Sequence, residues 1–382
     1  MTRHLLTLVL ALAVLPVWAA TFDVPPPPAI EAGAYILVDH ESGRVLAARN
    51  ENERMEPASI TKLMTAYVVF RSIREKRIGL NDEAPISVVA WRSGGATSGG
   101  STTFLDVGSR VPVETLLKGM IIQSGNDASV ALAEYVAGTE EAFADLMNRY
   151  AKEIGLNDSS FRNSTGLPDP QHYTTAADIA RLGNALIREF PEYYRWYSEK
   201  QFTFNGITQG NRNGLLYRDP TVDGMKTGYT ASAGYCLVTS ALRNGMRLVS
   251  VVLKTDSARA RERASEALLA YGFRFYETKP LFTAGKPVET VRVWKGEAES
   301  VDVGVAQSFA VTLPRGAGDN LQTQVEVRTP LEAPLDPATP VGMIRVRLDD
   351  QVLAEAPLVP LAAVPEGSLW AQARDTVLLW FE

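Results

Sequence analysis

The sequence predicts an α+β domain, followed by a small all-β domain and a terminal amphipathic helix. Three observations carry this. Apolar residues recur at helical spacing in several segments before residue 190. From Val222 they alternate instead, around an Asn244-Gly245 pair. Beyond residue 278 only short alternating runs remain, punctuated by Pro and Gly. The two periods are separate signals, because side chains realign about every 3.6 residues on a helix and about every two on a strand. Helices combined with antiparallel strands in one domain make the class α+β.

The chain opens with "MTRHLLTLVLALAVLPVWAA": Arg3, an apolar run from Leu5 to Val17, then small residues. This reads as a signal peptide, residues 1–19, with cleavage after Ala19. Residues 20–33 form a Pro-rich leader, extended and stiff through Pro25 to Pro28. The first domain is placed at 34–277. "AYILVDHESGRVLAARN" reads as two strands around a turn, and "SITKLMTAYVVFRSIRE" as a helix with Ile60, Leu63, Met64, Tyr67 and Phe70 on one face. A long Gly/Ser/Thr loop, "RSGGATSGGSTTF", follows; loops of this length in compact domains are often functional. "VPVETLLKGMIIQSGNDASVALAEYVAG" reads as two helices broken at Ser124-Gly125-Asn126, with Asn126 or Asp127 capping the second. Residues 140–154 form a further amphipathic helix stopped by Gly155, and Thr174 or Thr175 starts another.

Strands carry Lys226 to Gly228 and the hairpin at Asn244-Gly245, where a type I′ turn needs positive φ at both central residues. "RERASEALLAYGFRFY" closes the domain as a helix. Residues 278–362 form the β-sandwich-like domain, and 363–382 the C-terminal helix.

Composition removes several classes of function. The chain has 382 residues, 46% hydrophobic and 21% charged, as expected of an ordinary globular protein of about two or three domains. The net charge of −6 lacks the basic footprint of a nucleic-acid binder. One cysteine, Cys236, permits no intramolecular disulfide and reads as a buried filler. Besides His4 in the signal segment there are only His40 and His172, neither in a metal-ligand or triad motif. No metal or cofactor is expected.

Three short motifs carry the chemistry. Ser59 and Lys62 stand in an S-x-x-K at a helix start, so both side chains share a face one turn apart. A lysine in a dry site near another cation can lose its proton and serve as the base for a serine. A capped helix with a solvated lysine has the same spacing. Ser124-x-Asn126 lies at a helix break, which places polar side chains at a surface; a plain capping turn does so too. Lys226-Thr227-Gly228 lies on a strand whose small residues let an extended peptide pair along its edge, with the lysine as a cation for a carboxylate. Each motif alone is weak. Together, in this order, they form the set found in penicillin-binding proteins and class A β-lactamases.

At these residues the chain resembles the serine-type D-alanyl-D-alanine carboxypeptidases, the low-molecular-mass penicillin-binding proteins. "PASITKLMTAY", "QSGNDASVALAE", "NSTGL", "NRNGLL", "VDGMKTGYT" and "AGYCLVTSA" all read like that family. The resemblance covers about Ala34 to Tyr276 strongly, and the β domain in architecture.

It implies a β-lactamase/transpeptidase-like catalytic domain and removal of the terminal D-Ala from peptidoglycan stem peptides. Ser59 would be the nucleophile and Lys62 its base. Ser124 and Lys226 would form a hydrogen-bonded pair relaying a proton to the leaving D-Ala. Asn126 would hold the substrate amide and Lys62. The N–H groups of Ser59 and Tyr229 would form the oxyanion hole. Thr227, Arg212 and Arg261 would take the terminal carboxylate, beside Gly228. Tyr229 replaces a histidine frequent in relatives. β-Lactams would acylate Ser59.

Two rivals stay open at this level. A class A β-lactamase needs a deacylating glutamate in E-x-x-L-N, and Glu153-Ile154-Gly155-Leu156-Asn157 matches literally; its place at a helix end marks it as a decoy. A catalytically silent envelope-binding protein would not need an intact motif set. The tail "EGSLWAQARDTVLLWFE" puts Leu369, Trp370, Ala373, Val377, Trp380 and Phe381 on one helical face. The resemblance makes it an anchor on the outer, periplasmic face of the cytoplasmic membrane. Glu366, Asp375 and Glu382 outweigh Arg374, which removes attraction to anionic lipid.

Overall fold

A computed structural model describes residues 24–94 and 100–381. The signal segment lies outside the described residues, as does 95–99 of the Gly/Ser/Thr loop. The described part of the leader, residues 24–33, is anchored to the first domain at two points. Ile30 is buried in the core, and the Pro25 carbonyl accepts a hydrogen bond from the Tyr271 hydroxyl at 3.0 Å.

The first domain begins with the hairpin β1 (Ala34–Asp39) and β2 (Val45–Arg49). A 3-10 turn (Ala58–Thr61) leads into α1 (Lys62–Arg74). A ribbon of β3 (Glu83–Pro85) and β4 (Arg110–Pro112) brackets α2 (Val88–Ser93). The helical cluster continues with α3 (Val113–Lys118), α4 (Asn126–Ala137), α5 (Glu140–Glu153) and α6 (Ala176–Glu189). Short α7 (Pro191–Tyr194), the hairpin β5 (Gln201–Phe204) and β6 (Ile207–Gly210), and α8 (Leu215–Arg218) lead back to the sheet. There β7 (Val222–Thr230), β8 (Gly234–Arg243) and β9 (Met246–Thr255) run antiparallel, and α9 (Ala258–Phe275) closes the domain.

The five main strands lie in the order β2-β1-β9-β8-β7, which leaves β7 at an edge. Their alternation sorts side chains into two cores. Ile36, Val38, Val238 and Val251 face α1, α4 and α6. Leu37, Leu237, Leu248 and Val252 face α9. Each such side chain contributes roughly 1.5–3 kcal/mol through burial, so the sheet is fixed on both faces and can hold a rigid edge. The β8–β9 hairpin turns at Asn244 (φ 49°) and Gly245 (φ 82°), both left-handed as the Asn-Gly pair requires.

Thr175 caps α6, accepting from the Asp178 N–H at 3.1 Å. Gly155 follows α5 at φ 77°. The caps expected for α4 differ. Gly125 holds the cap position without a side-chain bond, and Asn126 and Asp127 are committed elsewhere. The break before α4 is a π turn (Gly119–Gln123) ending at Ser124 in the left-handed region, φ 70°.

The second domain starts two residues earlier than expected, because β10 (Tyr276–Phe282) follows α9 directly. It pairs with β13 (Phe309–Pro314). The main sheet has the order β11-β12-β16-β15-β14, from β11 (Pro287–Arg292), β12 (Ser300–Val305), β14 (Leu321–Val327), β15 (Gly342–Leu348) and β16 (Gln351–Pro360).

Asp39 joins the two domains. Its carboxylate accepts from Ser42 and from Thr278, and Thr312 hydrogen-bonds both hydroxyls. The final helix α10 (Leu369–Leu378) begins later than residue 363. Val364 still pairs with Leu335, and Ser368 supplies the cap.

Candidate active site

Ser59 lies on the 3-10 turn before α1, and Lys62 is the first residue of the helix. Ala58, just before the serine, is held at φ 48°. Such backbone costs free energy and persists only where the surroundings fix it. Two glycines do the fixing by letting other segments close on the turn. A Cβ on Gly166 would stand 1.8 Å from the Ala58 carbonyl oxygen. One on Gly228 of β7 would stand 3.0 Å from the Pro57 carbonyl oxygen.

Lys62 is fully buried, with three partners. Its Nζ lies 2.8 Å from Asn126 Oδ1, 2.7 Å from the Thr165 carbonyl oxygen and 3.1 Å from Ser59 Oγ. The first two can only accept, so they take two N–H bonds. The hydroxyl of Ser59 can donate. A neutral amine therefore satisfies the set with its lone pair on the Ser59 proton. Burial, and then the Arg212 charge, bring Lys62 down to about 7, against the opposing pull of Asp127 and Glu140. Lys226, also buried, is held well below the ordinary lysine range by burial and by Lys62, Arg212 and Arg261.

These groups surround a cleft of about 460 Å³ between the helical cluster and the β7 edge. Ser59, Ser124, Asn126, Thr227, Gly228, Tyr229, Arg212 and Arg261 all line it. Lys62 and Lys226 lie behind that lining. Tyr229 is exposed, and its ring packs on Tyr235 at 4.3 Å. Arg261, from the first turn of α9, donates to the carbonyls of Gly228 (3.0 Å) and Cys236 (3.3 Å), while its Nε has no hydrogen-bond partner among the described residues. Arg212 is exposed on the loop before α8.

One expected contact is not formed. Lys226 Nζ donates to the Thr227 carbonyl at 3.2 Å, and no Ser124–Lys226 hydrogen bond exists among the described residues. Ser124, held in the left-handed region, lines the cleft, while the Lys226 amine is turned to its neighbour's carbonyl. Among the described residues, neither histidine takes part in a triad. His40 bonds Asn184, and His172 bonds Thr61 at 2.9 Å and is pushed down to about 4 by burial. Glu153 pairs with Arg71 at 3.5 Å and does not line the cleft. Cys236 is buried, its thiol pushed up to about 11.

The sequence reading missed the Thr165 carbonyl as an anchor for Lys62. The signal was the turn-forming "NSTGL". Asn163 Oδ1 accepts from the N–H groups of Thr165, Gly166 (2.7 Å) and Leu167, folding that loop over the serine turn. The Gly/Ser/Thr loop expected to be functional supplies part of the cleft wall, through Gly100 and Ser101.

Residues 21–257 match the family described as D-alanyl-D-alanine carboxypeptidase. The chain belongs to this family. Residues 276–366 match the C-terminal domain of penicillin-binding protein 5. The carboxypeptidase DacC of Escherichia coli (strain K12) is 45% identical over 357 residues, 93% of this chain and 89% of that protein. DacF of Bacillus subtilis (strain 168) is 34% identical over 338 residues, 86% of this chain and 84% of that protein. The crystal structure of penicillin-binding protein 5 from Haemophilus influenzae superposes with a TM-score of 0.84 at 41% identity, covering 90% of this chain and all of the other. This carboxypeptidase is thus a serine hydrolase of the penicillin-binding protein family, with an acyl-enzyme mechanism and a cell-wall function.

Proposed function

We propose that Ser59 is the acylated serine and Lys62 its base, and that the enzyme removes the terminal D-Ala of peptidoglycan stem pentapeptides. The observation that carries this reading is the Lys62 hydrogen-bond set, which leaves one direction of the amine for the Ser59 hydroxyl. The Ser59 Oγ attacks the penultimate D-Ala carbonyl as its proton passes to Lys62. The N–H groups of Ser59 and Tyr229, both at the cleft, stabilise the oxyanion. The C–N bond breaks, the departing D-Ala leaves protonated by way of Ser124 and Lys226, and water then hydrolyses the ester.

Asn126 holds the substrate amide. Thr227, Arg212 and Arg261, beside Lys226, give the cleft a positive end for the terminal carboxylate; a guanidinium matches a carboxylate in geometry as well as charge. Penicillin acylates the same serine. Glu153 stands away from the cleft, so it activates no water there, and the penicilloyl ester is long-lived. The test measures D-Ala released from a D-Ala-D-Ala-terminated peptide, with Ser59→Ala as control. Release by the variant at the wild-type rate would sink the assignment.

The enzyme is exported and bound to the outer face of the cytoplasmic membrane through α10. Leu369, Trp370, Trp380 and Phe381 are each more than four-fifths exposed. Among the described residues no helix is long and apolar enough to cross a membrane, so this is a surface attachment. The inward side of α10 is held by buried Asp375, which accepts from the Lys295 N–H at 2.7 Å. Deletion of residues 366–382 should move the enzyme to the soluble fraction; unchanged membrane retention would count against the anchor.

A further inference from the structure

Two carboxylates, Asp127 and Glu140, act on the charge of Lys62, and the proposed reaction uses neither. Asp127 is buried at the start of α4, next to Asn126. Its oxygens accept from the Thr103 N–H at 2.9 Å, the Leu105 N–H at 3.3 Å and the Thr102 hydroxyl at 2.9 Å. The Asn126 N–H donates to the Ser101 carbonyl at 2.8 Å, so α4 is bolted to the segment that forms one cleft wall.

Glu140, the first residue of α5, does the same on the other side. Its Oε1 accepts from the Ser164 N–H at 3.0 Å and from the Ser164 hydroxyl. The Ser164 carbonyl accepts from Thr65 of α1 at 2.7 Å. The next carbonyl along, that of Thr165, is the one that holds Lys62.

We propose that Asp127 and Glu140 are positioning residues: each fixes the segment that presents one of the two acceptors of the Lys62 amine, and each places a negative charge near it. The proposal rests on the assignment of Lys62 as the base. The charged and titratable groups facing Lys62 are Arg212, Lys226, Asp127, Glu140 and His172. The first two disfavour the ammonium. The carboxylates favour it and keep the amine from becoming too weak a base. His172 stays neutral above about 4.

Removing a carboxylate charge lowers the proton affinity of Lys62. The neutral amine then persists to lower pH, and the acid limb of acylation moves down. The experiment follows the acylation rate with a fluorescent penicillin from about pH 5 to 9 in wild type, Glu140→Gln, Glu140→Asp and Asp127→Asn. In Glu140→Gln the limb should fall by about half a unit to one unit, and the plateau rate by about threefold to tenfold as the Thr165 carbonyl loosens. Glu140→Asp keeps the charge and should restore the limb but not the full plateau. Asp127→Asn should shift the limb in the same direction.

Glu140 is half-buried, so its amide variant is the decisive one if Asp127→Asn does not fold. A folded Glu140→Gln with an unmoved limb overturns the proposal. A wild-type rate with no acid limb, or a label away from Ser59, overturns the assignment of the base itself, whatever the variants do.

Discussion

The cleft and the C-terminal β domain handle charge and backbone in opposite ways. In the cleft, Lys62, Lys226 and Arg261 are buried, and among the described residues none has a carboxylate in direct contact. In the β domain, Arg345 sits between Glu326 and Glu355 at 2.6 Å from each, with all three partly in water. Exposed pairs of that kind contribute little, whereas unpaired buried cations are costly and shift their proton affinity instead. The backbone differs in crowding, not in sign of φ. Both domains hold non-glycine residues at positive φ, such as Ala58 and Ser124 in the first and Lys295 and Asp349 in the second. But the Ala58 carbonyl lies against Gly166 at the cleft, while Gly285 in the β domain turns at φ 71° with open space around it. One region is built to hold unfavourable groups, and the other to be a stable support.

The largest test of that contrast is Ser59→Ala, which should lower D-Ala release by on the order of a thousandfold or more and abolish penicillin labelling, with the melting curve unchanged. Gly166→Ala comes next. The added Cβ meets the Ala58 carbonyl, so stability should fall by about 3 kcal/mol in urea unfolding of the first domain, with acylation impaired. Gly285→Ala in the β domain has the same sign of φ (71°) but no atom within 4 Å, and should cost only about 1 kcal/mol. Equal losses would erase the distinction.

The pH profile follows from the sign of the Lys62 shift. The proposed base acts when neutral, so acylation should rise with pH through about 7 and then level off. Below that limb the rate should drop about tenfold per unit. Lys226 titrates in the same cleft, so the measured value belongs to the pair. Smallest of all, Arg345→Ala should change stability by less than about 0.5 kcal/mol and leave the rate alone.

The side-chain motifs were legible because each lies within a few residues of sequence. Ser59 with Lys62, Ser124 with Asn126, and Lys226 with Gly228 needed only order and local structure. What was not legible came from backbone and from distance. The Thr165 carbonyl has no side-chain signature, and its approach to Lys62 depends on how "NSTGL" folds back over the serine turn. Asp127 looked like a helix cap because a short polar residue at a helix start has that role by default; besides the neighbouring Ala128 N–H, its donors lie more than twenty residues away, at Thr103 and Leu105. The Ser124–Lys226 contact was implied by resemblance, and the Lys226 amine here bonds the Thr227 carbonyl instead. The hairpin at Asn244-Gly245 was legible outright, since few other residues accept both left-handed positions.

The edge position of β7 has one more consequence. An unpaired strand edge is a template that any extended chain can join, and proteins usually blunt such edges. This one is kept open, with Lys226 and Arg261 set behind it and the serine turn lying over Gly228. If the proposed substrate pairs along this edge, the hazard narrows to a short stretch of backbone ending in negative charge. An aggregation-prone surface then serves as a reader of chain ends, and its selectivity lies as much in what the edge refuses as in what the cleft binds.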